Sequence, residues 1–145
     1  LALRLVSKSG QNAALSRVIL ALDLAVEPDR DRPRLFDVRI RASSAARLQG
    51  ATEGLAMTSS GKGLQKDPQN QKTFTALPDG TYRLLCVSTG GSDLAPGPLA
   101  LLDFSVSQAR AVEFSIVRSE PIFTPPDVDE GLQMSSYDSE IIVRL

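Results

Sequence analysis

Apolar residues recur at every second position from one end of this chain to the other, the pattern of a strand with one face buried and one face in water. The longest instance is "RVILALDLAVE", Arg17 to Glu27, in which Val18, Leu20, Leu22, Leu24 and Val26 share a side. In "RLFDVRIRASS", Phe36, Val38 and Ile40 alternate with Asp37, Arg39 and Arg41. The pattern returns in "LALRLVS" at the start, in the weaker "ARLQGAT", in "TYRLLCVS", in "LALLDFSVS" with Leu102, Phe104 and Val106, in "AVEFSIVR" with Val112, Phe114 and Ile116, and in "EIIVRL" with Ile141, Val143 and Leu145. On a helix this spacing would scatter apolar groups around every side, so the faces must be hidden by stacking sheet on sheet. The expectation is an all-β, antiparallel β-sandwich of about nine strands with Leu20, Phe36, Phe104 and Phe114 enclosed between its layers.

The breaks between these runs carry turn chemistry. "LPDG", Leu77 to Gly80, has Pro second and Gly fourth, the signature of a type I turn, and "APGP", Ala95 to Pro98, places Gly97 where a type II turn needs positive φ. "TGGS" at Thr89 to Ser92 and "PPD" at Pro125 to Asp127 break the pattern again. "EPDRDRPR", Glu27 to Arg34, reads as a charged connection. The polar stretch from Ala56 to Phe74, rich in Gly, Ser and Gln, reads as a long surface loop with one short strand inside it. No repeat and no internal boundary divides the chain, so residues 1–145 are expected to form a single domain. The sequence opens without Met and ends on an apolar strand pattern, which reads as a processed product or a module excised from something longer.

Chemistry is excluded more readily than assigned. With 16 Lys and Arg against 17 Asp and Glu, the formal net charge is -1, and no global field favours nucleic acid or an anionic membrane. The longest apolar run, Val18 to Val26, is interrupted by Asp23 and is far shorter than the ~20 residues that span a bilayer, so no membrane insertion is expected. The chain contains no His, which removes Ser-His-Asp and Cys-His catalysis and most zinc sites. Cys86, the only cysteine, reads as a small buried side chain. The acidic turn Asp127, Asp129 and Glu130 lacks the spacing of an EF-hand, and "GKG" at Gly61 to Gly63 lacks that of a phosphate loop and reads as flexible loop. Sugar binding needs flat exposed rings. Trp is absent, Tyr82 falls on an apolar face, and the candidates left are Tyr137 with Phe74 or Phe123.

Four segments together resemble the cohesin family, β-sandwich modules that bind dockerin modules in extracellular enzyme assemblies. They are "QNAALSRVILALDLAVE", "LFDVRIRASSAARLQGATEG", "DGTYRLLCVSTGGSDLAPGPLALLDFSVS" and "VEFSIVRSEPIFTPPDVDEGL", spanning roughly Gln11 to Leu132. The likeness is one of residue class rather than of invariant letters. Where many cohesins have an aromatic residue followed by Asp-Pro, this chain reads Ala42, Ser43, Ser44.

The resemblance implies a cohesin-like jelly-roll layout and a non-catalytic protein-docking module of a larger secreted or cell-surface protein, needing no cofactor. It places Asp37 where cohesins put a polar or acidic side chain on the dockerin-facing sheet. Arg39 and Arg41 follow on the same face by alternation, and if "YRLLCVS" lies in that sheet it adds Arg83, Leu85 and Val87. These six residues are the expected protein-binding face, and a dockerin-like module is the expected partner. The plainer reading is that the charges pair with neighbouring strands and keep the sheet soluble. Two other functions stay open: a carbohydrate-binding sandwich with a polysaccharide partner, and a structural module of a surface adhesin or array.

Overall fold

Ten strands, all paired antiparallel, divide between two sheets in the computed structural model of the chain, which describes residues 2–8, 17–26, 33–57, 62–88, 94–107, 111–122 and 140–144. They are β1 (Ala2–Ser7), β2 (Arg17–Ala25), β3 (Leu35–Ala42), β4 (Ala46–Glu53), β5 (Lys62–Leu64), β6 (Thr75–Ala76), β7 (Thr81–Ser88), β8 (Gly97–Val106), β9 (Ala111–Ile122) and β10 (Glu140–Arg144). The first sheet has the order β1-β2-β8-β4. The second has the order β10-β9-β3-β7-β5, with β6 also paired to β7.

The alternating residues do what their period requires. Leu20, Phe36, Phe104 and Phe114 are at most 1% exposed and lie in one apolar core between the sheets, with Val18, Leu22, Val38, Ile40, Leu84 and Leu102. Aromatic rings carry the contact from layer to layer. Phe104 of the first sheet sits 4.7 Å from Phe114 of the second, and it meets half-buried Tyr82 edge-on at 6.1 Å. Each such pair adds about 0.5–1.5 kcal/mol beyond the area it buries. Cys86 is fully buried beside them, as its place in the alternation implies.

The turns follow their residues. Gly80 adopts φ +85° and donates to the Leu77 carbonyl at 3.1 Å, and the Leu77 amide donates to the Thr81 carbonyl at 2.9 Å, closing the β6–β7 hairpin. Gly97 takes φ +114° as β8 begins. Gly54 is required for a different reason: a Cβ there would lie 2.3 Å from the Pro98 carbonyl oxygen, so only a bare backbone lets its amide donate to the Leu99 carbonyl at 3.0 Å.

The stretch from Ala56 to Phe74, expected as a surface loop holding one short strand, has that strand in β5, and its described residues also make buried contacts. A 3-10 turn, Leu55–Met57, buries Met57, and β5 buries Leu64 while its amide donates to Glu53 Oε1 at 3.3 Å, tying the second sheet to the first. Lys62 and Gly63 of "GKG" therefore belong to a strand paired with β7, not to a flexible loop. Phe74 is only 6% exposed and packs edge-on against Tyr82, which removes it from the rings offered for sugar stacking. Phe123, Tyr137, the acidic turn at Asp127 to Glu130, the part of the charged connection from Glu27 to Arg32 and "TGGS" lie outside the described residues.

Candidate docking face

The six expected binding residues all stand on the outer face of the second sheet. Asp37, Arg39 and Arg41 alternate with buried Phe36, Val38 and Ile40 on β3, and Arg83, Leu85 and Val87 alternate with buried Leu84, Cys86 and Ser88 on β7. The β3–β7 register places Leu35 opposite Val87, Asp37 opposite Leu85, Arg39 opposite Arg83 and Arg41 opposite Thr81. Two strands that are far apart in sequence thus present one continuous patch.

Within it, Arg83 reaches diagonally to Asp37 and grips both carboxylate oxygens, Nε to Oδ1 at 2.9 Å and Nη2 to Oδ2 at 2.7 Å. This fork-to-fork geometry is the strongest form of the pair. The Asp37 side chain keeps 19% of its exposure and that of Arg83 keeps 41%, so the bridge is half out of water. Arg39 is placed less comfortably. Its neighbours in register are arginines on both sides, Arg83 on β7 and Arg118 on β9, and its Nε is buried with no hydrogen-bond partner among the described residues. Arg41 is exposed.

At the end of the patch the turn residue Asp79 accepts from the Thr81 hydroxyl at 2.6 Å and the Thr81 amide at 3.0 Å through the same Oδ1. These bonds, helped by the more distant charges of Arg39 and Arg41, hold its carboxyl below the usual carboxylate range. Beside the patch, Asp67 is lowered in the same way by the Thr75 hydroxyl, 2.7 Å away, and by the Gln69 amide. Between β5 and β6 the chain leaves a notch of about 230 Å³, walled by Gln65, Asp67, Pro68, Phe74, Arg83 and Leu85.

Two apolar residues on this face stand exposed, and one of them escapes a simple count of alternation. Of the three large apolar side chains most exposed to water among the described residues, Val117 (44%) and Ile142 (56%) belong here, and the third, Leu55, sits in the turn after β4. Val117 is the extra residue of a β-bulge: β9 pairs Ile116 with Ile40 and Arg118 with Arg39, leaving Val117 without a partner on β3. Its outward turn follows from that irregularity, which no period in the sequence announces. Ile142 lies opposite Glu113 on β10 and follows from the alternation of "EIIVRL". Among the described residues no group of acidic or cysteine side chains could hold a metal ion, and no helix is long and apolar enough to cross a membrane.

This is a cohesin-like β-sandwich. The fold aligns with the cohesin module of a family 33 glycoside hydrolase from Clostridium perfringens over 99% of this chain and 96% of that one, with a TM-score of 0.62 at 10% identity. It aligns with the sixth cohesin of scaffoldin B from Acetivibrio cellulolyticus, solved in complex with a dockerin, over 85% and 87%, with a TM-score of 0.58 at 16% identity. A non-cellulosomal cohesin from the archaeon Archaeoglobus fulgidus aligns over 87% and 81%, with a TM-score of 0.58 at 9% identity. No protein-family model matches the sequence, and no curated protein matches it either. At these identities the likeness is one of fold.

Proposed function

We propose that this chain is a non-catalytic docking module of a secreted or cell-surface protein, and that it binds a dockerin-like module through the outer face of β9, β3 and β7. Asp37, Arg39, Arg41, Arg83, Leu85 and Val87 form the centre of that face in this reading, and Val117 adds to its apolar part. Four of the cohesins that share the fold were solved in complexes with dockerin modules, which supports a protein partner. The single observation that carries the reading is the exposure of Val117 and Ile142 on the same sheet face as the charged residues. An interface needs an apolar centre with a polar surround, and a face meant only for water does not. Any catalysis belongs to another domain.

The test is surface plasmon resonance against a panel of purified dockerin modules, comparing the wild type with an Asp37→Ala, Arg39→Ala, Leu85→Ala triple variant. At least one dockerin is expected to bind the wild type and to lose a hundredfold or more in affinity for the variant. Equal binding to both proteins would remove this face from the interaction.

A further inference from the structure

We infer that the docking face is built for a partner segment bringing a carboxylate flanked by apolar side chains, with Arg39 as the anchor of that carboxylate. The inference rests on the docking reading and names the chemistry of the occupant. Register sets Arg39 in the middle of a row of arginines across β9, β3 and β7, with Arg118 opposite it on one side and Arg83 on the other. Like charges directly opposite one another destabilise a sheet.

Two of the acids nearby, Asp37 and Asp79, are already committed, and a third, Glu120, stands opposite Asp37 in the β3–β9 register. Asp37 gives both oxygens to Arg83. Asp79 takes two donors from Thr81 on one oxygen, and its attraction to Arg39 and Arg41 is the smallest of the influences that lower it. Glu113 is exposed and lines the cleft that Arg41 also borders, nearer the end of β3 than its centre. Arg39 thus presents a guanidinium whose Nε has been withdrawn from water without an acceptor in exchange. A carboxylate supplied from outside would meet a charge whose desolvation is already partly complete, in the planar fork geometry that arginine offers to carboxylates.

Its apolar surroundings set the rest of the recognition. The bulge beside Arg39 turns Val117 outward on one flank, and on the other Leu85 stands half-buried over the notch next to β7. A segment with an Asp or Glu between two aliphatic side chains would cover both while its acid reached Arg39.

The experiment selects a displayed library of random peptides on the wild-type protein and maps each enriched clone by chemical-shift perturbation and against variants. The expected clones carry Asp or Glu flanked by apolar residues, bind at least tenfold more weakly to Arg39→Gln, and weaken with rising salt. Selection on Arg39→Glu should return clones bearing Lys or Arg instead. Clones that lose binding to a Leu85→Ser, Val117→Ser variant, yet show no enrichment in acids and bind Arg39→Gln as tightly as the wild type, would leave the docking face standing and overturn this inference. A library that yields no clone on the face would overturn both. Binding of polygalacturonate at Arg39 with no acidic peptide recovered would also overturn it, because the acid would then belong to a polysaccharide.

Discussion

The two sheets solve the same problem with the same device and differ in what they leave over. On the outer face of the first, Arg17 of β2 grips Asp103 of β8 through Nε at 2.8 Å and Nη2 at 2.6 Å, the same forked diagonal pair as Arg83 and Asp37 on the second. Each sheet also has a bulge with a buried, unbonded polar atom beside it: Asp23 Oδ1 where β2 slips against β8, and Arg39 Nε where β3 slips against β9. Across from Asp23, however, register sets Arg4, an opposite charge, whereas across from Arg39 it sets two arginines. None of the most exposed large apolar side chains among the described residues lies on the first sheet, and two lie on the second. One surface is arranged to be content in water. We read the other as waiting for company.

That contrast can be broken experimentally. The largest difference is expected between the two bridges. Asp37→Asn should cost about 1–2 kcal/mol of unfolding free energy in urea, since it strips a half-buried charge-assisted pair, while Asp103→Asn on the more exposed bridge should cost about 0.2–1 kcal/mol. Equal losses would mean that the second face is no more desolvated than the first. A smaller effect of opposite sign is expected at the bulges. Arg39→Met keeps the stem and removes a charge set against like charges, so thermal melting should show a gain of about 0.2–1 kcal/mol, whereas Arg4→Met should lower stability by leaving Asp23 without its opposite charge. A loss from Arg39→Met would show that the arginine row is satisfied in the free protein.

The smallest effect concerns acid. Asp79 and Asp67 have folded-state carboxyls held below their unfolded values, so their contribution is fully present above the unfolded value, near pH 4, and is lost as pH falls through the lower folded one. Asp79→Asn should lower stability slightly at neutral pH and leave it unchanged at the acid end, so that the acid side of the stability curve is flatter. An unchanged acid limb would show that the Thr81 bonds do not persist in solution.

Much of this architecture is written in the alternation itself. The enclosure of Leu20, Phe36, Phe104 and Phe114, and the outward placing of Asp37, Arg39 and Arg41, follow from a period of two because a strand has only two sides. Gly80 and Gly97 mark their turns because few other residues accept positive φ. What escapes is whatever breaks the period. The bulge that exposes Val117 inserts one residue and shifts the count, and the two-residue strand β6 is too short to have a period at all. Phe74 is buried by the contact of its loop with Tyr82, a matter of tertiary packing that its polar sequence neighbours conceal. The pairing of Arg83 with Asp37 joins residues 46 apart, and only the strand order of the folded sheet brings them within reach.

Cys86 turns the depth of this sandwich into something that can be timed. Burial pushes its thiol up to about 12, so the folded protein holds essentially no thiolate at neutral pH and no path by which an alkylating reagent could meet one. Labelling must wait for β7 to part from its neighbours, which makes the one sulfhydryl of the chain a clock for the opening of the whole interior.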